Sequence, residues 1–268
     1  MKVLVIGGGN MGYTYAKGMS KSSLIDGEIL IYDASEVQTI KLKKKKLFKV
    51  CNNLQKAVEE VDVIFLVVKP YHAMDLFETM KSSVNQSQIV VSLMAGVSIE
   101  AIQSGLGINK GVRAMPNLPA KVGLGMTSYT PSEEVSRIEL LTISKLLDTT
   151  GEAIFVENEM FIDKSTGISG SGPAYVFYFM ESMMQAALKM GFSQNDSKVL
   201  VTQTFEGAVK LFKESDLSPT GWMNRVASKG GTTRAALDSM KENKVEELIK
   251  DAAFAAFDRA VEMSADMK

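Results

Sequence analysis

The rhythm of apolar and polar positions changes near residue 160. Before it, short runs of Val, Ile and Leu alternate with stretches whose apolar residues recur every three or four positions. The run Val63-Ile64-Phe65-Leu66-Val67-Val68 is apolar at every position, the pattern of a strand covered on both faces. This half predicts strands over 2–6, 28–32, 63–68, 88–93, 111–114, 125–129 and 153–156. It predicts helices over 11–20, 35–47, 73–82, 99–105 and 133–147. Strands alternating with helices imply βαβ units and a mainly parallel sheet.

Beyond residue 160 the strand-like runs stop. Helical periodicity predicts helices over 174–190, 194–214, 219–226, 233–240 and 245–263. The chain therefore reads as α/β, with a mainly parallel sheet in residues 1–159 and an all-helical domain in residues 160–268. Ala and Met are frequent in the helical half, as in Met183-Met184-Gln185-Ala186-Ala187, which suits close helix packing or a subunit interface.

Composition narrows the partners more than the fold. The net charge of -1 gives no general attraction to nucleic acid or anionic lipid, so neither is expected as a partner. No apolar run approaches the roughly 20 residues of a membrane span. The single cysteine, Cys51, cannot close an intrachain disulfide. The N-terminus lacks the apolar region and cleavage site of a signal peptide. The expectation is a cytoplasmic protein acting on a small molecule, with no metal site.

Gly7-Gly8-Gly9-Asn10-Met11-Gly12 matches G-x-G-x-x-G between a predicted strand and a predicted helix. That placement is the dinucleotide fingerprint of a Rossmann-type sheet. Gly7 permits the tight turn, Gly9 leaves room for a pyrophosphate, and Gly12 lets helix and sheet approach. The helix N-terminus then offers free N–H groups to the phosphates. Asp33 ends the second strand at the spacing of the acid that accepts bonds from the adenosine ribose. It leans the cofactor toward NADH, because no arginine precedes Arg113 to clamp a 2′-phosphate. Asp33 or Ser35 could instead cap the next helix. The run 41–46, with five lysines, reads as a solvated helix face, although a lysine could reach a 2′-phosphate.

Five further segments follow in order: Val67-Val68-Lys69-Pro70, Met94-Ala95-Gly96-Val97-Ser98, Met115-Pro116-Asn117, Gly167 to Tyr175 (GISGSGPAY), and Ser228-Lys229-Gly230-Gly231-Thr232-Thr233. With the glycine loop, they resemble the pyrroline-5-carboxylate reductase family from Lys2 to near the C-terminus. The resemblance implies NAD(P)H-dependent reduction of 1-pyrroline-5-carboxylate to L-proline, with NADPH commonly preferred. It implies a helical domain that intertwines into a homodimer or larger homo-oligomer, with the active site between cofactor and helical domain. It places Val68, Lys69 and Pro70 along the cofactor and Ala95 near the nicotinamide. It assigns the substrate carboxylate to Ser228 and the backbone around Gly230, Gly231 and Thr232. The Thr233 hydroxyl would hydrogen-bond the ring nitrogen, as the catalytic contact.

The local physics agrees: two glycines before a threonine pair and a helix can aim successive N–H groups at one anion. A helix entry capped by Ser228 or Thr232 is the plainer reading of the same residues. Two positions depart from the family pattern, Lys229 for proline and Met94 for a small residue. His72 reads as a surface residue. Two other readings keep the fold: a 3-hydroxyacid dehydrogenase with Lys164 or Lys210 as acid-base residue, and a non-catalytic dinucleotide-binding protein.

Overall fold

A computed structural model describes residues 1–266. The chain runs β1 (Val3–Ile6), α1 (Asn10–Met19), β2 (Leu30–Tyr32), α2 (Glu36–Lys43), β3 (Lys49–Val50), α3 (Leu54–Glu59), β4 (Val63–Leu66), α4 (Ala73–Met80), β5 (Ile89–Ser92) and α5 (Ile99–Leu106). It continues through β6 (Gly111–Met115), β7 (Gly125–Pro131), α6 (Arg137–Leu147), β8 (Gly151–Phe155) and α7 (Glu159–Ser165). Five helices follow: α8 (Gly172–Lys189), α9 (Gln194–Lys213), α10 (Pro219–Val226), α11 (Thr232–Glu242) and α12 (Val245–Asp266). The chain divides into two compact units, one of residues 1–173 and the chain from Ala255 onward, the other of Ala174–Phe254.

In the first unit the strands form one sheet in the order β3-β2-β1-β4-β5-β6-β7-β8. Every pairing is parallel except β6 with β7. The strand order reverses at β1, which pairs with β2 on one side and β4 on the other. Successive residues of a strand face opposite layers. Val3, Val5, Ile31, Phe65 and Val91 pack with Tyr15 and Met19 of α1 and with Ile143, Leu146 and Leu147 of α6. Leu4, Ile6, Leu30, Ile64 and Val90 pack with Val58 of α3, Phe77 and Met80 of α4, and Ile102 of α5. Each such fully buried side chain contributes about 1.5–3 kcal/mol. Buried polar groups are paired across elements: the Tyr15 hydroxyl meets Thr127 Oγ1 at 2.7 Å, and Gln88 Nε2 donates to the carbonyls of Val58 and Val61.

All seven strands expected from the sequence are present, and the two-residue β3 is added. Helix α2 ends at Lys43, short of the expected 47, and the following turn puts Lys46 at φ +53°. Helix α6 begins at Arg137 because Ser136 and Glu139 form a reciprocal capping box there. Short α3 and α7 were not expected. A π-helical turn, Thr166–Gly170, leads into the GSGPAY segment and α8.

The second unit consists of α8 from Ala174, α9, α10, α11 and α12 up to Phe254. Its loops are capped in the ordinary way at Ser193 and Ser218, whose side chains accept from Asp196 and Gly221 amides. It encloses fewer of its apolar residues than the first unit does. Phe177, Tyr178, Phe212 and Phe254 are all exposed, and α8, α10 and α11 bury no residue fully. Among the described residues, no helix is long and apolar enough to cross a membrane.

Candidate active site

β1 ends at Ile6, and the chain turns through Gly7, Gly8 and Gly9 into α1. Gly7 has φ +101°, and a Cβ there would lie 2.4 Å from the Val67 carbonyl oxygen. A Cβ at Gly12 would fall 1.8 Å from the Gly7 carbonyl oxygen, and one at Gly8 would fall 2.4 Å from Leu42 Cδ1. These three glycines serve close packing. Gly9 differs: a Cβ there would meet nothing within 4 Å of protein. Gly9 is the N-cap of α1, no side chain bonds the first-turn amides, and no acid stands in that turn. The free N–H groups and the helix dipole suit a phosphate.

A groove of about 830 Å³ lies over the C-terminal ends of β1, β2, β4, β5 and β6. It therefore sits where the strand order reverses, the usual ligand crevice of such sheets. Gly7, Gly9, Asn10, Met11, Asp33, Val68, Lys69, Pro70 and Ala95 all line it. Gly8 and Gly12 do not, since they hold the turn from behind. His72 is exposed, as expected, but it also lines the groove, with its ring 4.4 Å from that of Tyr71. Leu54, Asp75, Leu76 and Thr79 of α3 and α4 line it too, and no motif marks them in the sequence.

Asp33 is fixed by the backbone. Its Oδ2 accepts from the Gly8 amide at 2.7 Å, and its Oδ1 from the Ser35 amide at 2.8 Å. Ser35 is the N-cap of α2, so Asp33 is free of that task. Gln38 Nε2 donates to the Gly8 carbonyl and ties α2 to the glycine turn. The carboxylate keeps lone pairs for ribose hydroxyls, since each oxygen can accept more than one bond. None of the lysines over 41–46 lines the groove; Lys69 does. The residues thus fit a dinucleotide: an open phosphate turn, an oriented acid on the β2 side, and a roomy continuation toward β4 and β5.

Next to the groove lies a buried ionic cluster that the sequence did not announce. Arg113, on β6, is 3% exposed. Its Nη1 donates to Glu159 Oε1 at 3.2 Å, and its Nη2 to Asp163 Oδ1 at 2.6 Å and Ser264 Oγ at 3.2 Å. Glu159 Oε1 also accepts from the Ile99 amide at 2.9 Å. These partners lie 46, 50 and 151 residues from Arg113 along the chain, beyond the reach of local pattern.

Ser228–Thr233 belongs to the second unit. Gly230 has φ +71°, and the Gly231 amide donates to the Ser228 carbonyl at 3.1 Å. A Cβ at Gly231 would lie 2.5 Å from Ser228 Oγ, so a side chain there would make that hydroxyl turn away. Helix α11 starts at Thr232, one residue before the expected start. Its N-cap is Gly231, and no side chain caps it, so neither Ser228 nor Thr232 plays the capping role. The first-turn amides are left to an outside acceptor. Lys229 is exposed, and Met94 is 2% exposed. Of the alternative lysines, Lys164 stands 4.0 Å over the Phe161 ring and Lys210 is exposed on α9. Neither lines the groove.

Sheet, glycine turn and groove together define a Rossmann-type dinucleotide-binding protein. Residues 159–263 match the family model described as pyrroline-5-carboxylate reductase dimerisation, and residues 2–96 match that of NADP oxidoreductase, coenzyme F420-dependent. Pyrroline-5-carboxylate reductase 2 of Bacillus subtilis is 33% identical over 251 residues, covering 92% of this chain and 90% of that protein. The Pseudomonas aeruginosa pyrroline-5-carboxylate reductase is 31% identical over 264 residues, covering 98% and 97%. The solved pyrroline-5-carboxylate reductase of Coxiella burnetii superposes with a TM-score of 0.90 at 31% identity, covering 98% of each chain. The Plasmodium falciparum enzyme, solved with NADP bound, gives 0.87 at 28% identity, again covering 98% of each. The chain belongs to the pyrroline-5-carboxylate reductase family, and it is an NAD(P)-dependent oxidoreductase.

Proposed function

We propose that this protein reduces 1-pyrroline-5-carboxylate to L-proline with NAD(P)H. The observation that carries the reading is the start of α11. Its first-turn amides have no capping side chain, and Ser228 Oγ sits against Gly231. An uncapped helix start with a hydroxyl beside it suits a small carboxylate. Ser228 Oγ and the Thr232 amide would hold that carboxylate at the turn shaped by Gly230 and Gly231, the Gly231 amide being taken by the Ser228 carbonyl, and Thr233 Oγ1 would meet the ring nitrogen. In the groove, Gly7, Gly9, Asn10 and Met11 would hold the pyrophosphate, with Gly8 and Gly12 shaping the turn, Asp33 would hold the adenosine ribose, and Val68, Lys69, Pro70 and Ala95 the remainder.

The nicotinamide supplies a hydride when bound. The protein supplies orientation, and alignment of this kind can account for a large share of the barrier. The imine carbon accepts the hydride and its nitrogen carries the proton, so a secondary amine results. The substrate's own carboxylate offsets the iminium charge, so no strong general acid is required. In this reading residues 1–159 bind the dinucleotide, and residues 160–268 bind substrate and form a homodimer or larger homo-oligomer. The matched dimerisation model and the exposed aromatics of α8 and α9 support the assembly.

The protein is assigned to the cytoplasm, in keeping with its one cysteine. Burial pushes the Cys51 thiol above its usual range, so it stays protonated near neutrality.

The test is direct. Nicotinamide absorbance should fall when 1-pyrroline-5-carboxylate is added, L-proline should accumulate, and Thr233→Val should lower kcat about tenfold or more without unfolding the protein. Folded protein with no turnover with either NADH or NADPH contradicts the reading.

A further inference from the structure

We propose that Arg113 is a positioning residue: with Glu159, Asp163 and Ser264 it fixes the segment 93–98 that walls the β5 end of the groove. The proposal rests on the reading of that groove as a nicotinamide dinucleotide site.

The segment 93–98 is anchored at both ends. It leaves β5 at Leu93, whose amide donates to the Leu66 carbonyl at 2.9 Å, and enters α5 at Ile99. Between these points the backbone is held from outside. Glu159 Oε1 accepts both the Ile99 amide and Arg113 Nη1, so a single carboxylate oxygen links the start of α5 to β6. On the other side Gly96 has φ +76°, and a Cβ there would stand 3.0 Å from the Met263 carbonyl oxygen of α12. The next residue of α12, Ser264, is bonded to Arg113 Nη2 at 3.2 Å and to Asp163 Oδ1 at 3.0 Å. One guanidinium therefore joins β6, α7, α12 and, through Glu159, the Ile99 amide where the segment ends.

Burial says what such a device is for. The side chains of Arg113 and Asp163 are 4% and 8% exposed. Removing both charges from water largely cancels their attraction, so a pair like this adds little net stability over apolar packing. What it does impose is a fixed geometry, because a guanidinium fork donates along set directions. The geometry imposed is that of a wall. Arg113 and Asp163 line a cavity of about 220 Å³ together with Met94, Ala95, Gly96 and Met115. Met94, Ala95 and Met115 also line the groove, so the ionic cluster stands directly behind its surface.

The placement selects one half of the cofactor. Asp33 marks the adenosine side at β2, and the glycine turn marks the pyrophosphate at β1. The strand order then continues to β4 and β5, so the half beyond the pyrophosphate meets the 93–98 wall. Loosening that wall should be felt by the nicotinamide and not by the adenosine.

NADH and ADP-ribose differ only by the nicotinamide, so their equilibrium binding separates the two halves. In Arg113→Lys and Glu159→Gln, calorimetry should show NADH weakened about tenfold and ADP-ribose by less than about twofold. Under turnover, kcat should fall, KM for the imine should stay near its wild-type value, and the isotope effect with 4-deuterated cofactor should rise. Equal weakening of both nucleotides, or no weakening of either, overturns the proposal. If Arg113→Lys does not fold, Glu159→Gln decides, since Glu159 is the more exposed partner. Absence of imine turnover in the wild-type protein contradicts the functional reading alone, and the binding comparison still decides this one.

Discussion

The two compact units enclose their apolar residues to different extents. In the first, strand residues alternate between two buried layers, and Val3, Leu4, Val5, Phe65 and Phe77 are fully enclosed. In the second, Ser197, Val201 and Ala227 are buried while Phe177 is 58% and Tyr178 75% exposed. Exposed apolar side chains gathered on a few helices are what an association surface would use. The first unit also leaves Ile138, Phe155 and Ile168 exposed, but its sheet is covered on both faces, whereas the second keeps few of its apolar residues from solvent. Residues 159–263 match the family's dimerisation model, which suggests a homo-oligomer.

The largest effect should come from breaking that association. Phe177→Asp combined with Tyr178→Asp should weaken self-association roughly a hundredfold, read as a fall in mass by light scattering on dilution. An unchanged mass would show that the apolar face of α8 is covered in some other way.

Within the first unit, two glycines of one loop sharpen the contrast between structure and ligand. Gly12→Ala drives a methyl into the Gly7 carbonyl and should cost about 3 kcal/mol or more, with a clear drop in Tm. Gly9→Ala meets no protein atom, so Tm should hold while NADH affinity falls about tenfold. Equal thermal loss in both variants would contradict the division of labour.

Next, Asp33→Ser removes a carboxylate that faces the groove and is anchored by two amides. It should raise NADPH affinity relative to NADH about tenfold, measured by binding.

The smallest effect lies far from the groove. Ser136→Ala should cost about 1 kcal/mol in denaturant unfolding and leave turnover unchanged. Burial pushes Glu139 upward, but bonds from Lys110 and from the Ser136 amide and hydroxyl outweigh it and hold the carboxyl below its usual range. A depressed folded value means the stabilisation is present above the ordinary glutamate range and is lost as pH falls through the depressed one. Wild type should therefore be the more stable of the two at neutral pH, and wild type and Glu139→Gln should converge in stability at acid pH.

The strands were legible because each is a short apolar run between turns, and the glycine turn because three backbone constraints fall within six residues. Lys49–Val50 is too short and too charged in its surroundings to register as a strand. The lysine run looked like a longer α2, yet like charges and a turn at Lys46 stop it early. A helix entry at Ser228–Thr233 was legible, but not its N-cap, which is Gly231 and neither Ser228 nor Thr232. Arg113 entered the sequence reading only as the first arginine of the chain. Its partners come from α7 and from the far end of α12, and no local pattern reports such a meeting.

The most direct test of the account follows one atom. With 4-deuterated NADH or NADPH and 1-pyrroline-5-carboxylate, the L-proline formed should carry deuterium on C5, the former imine carbon. Proline without that label, or deuterium transferred to a different substrate class while the imine is left untouched, would contradict it.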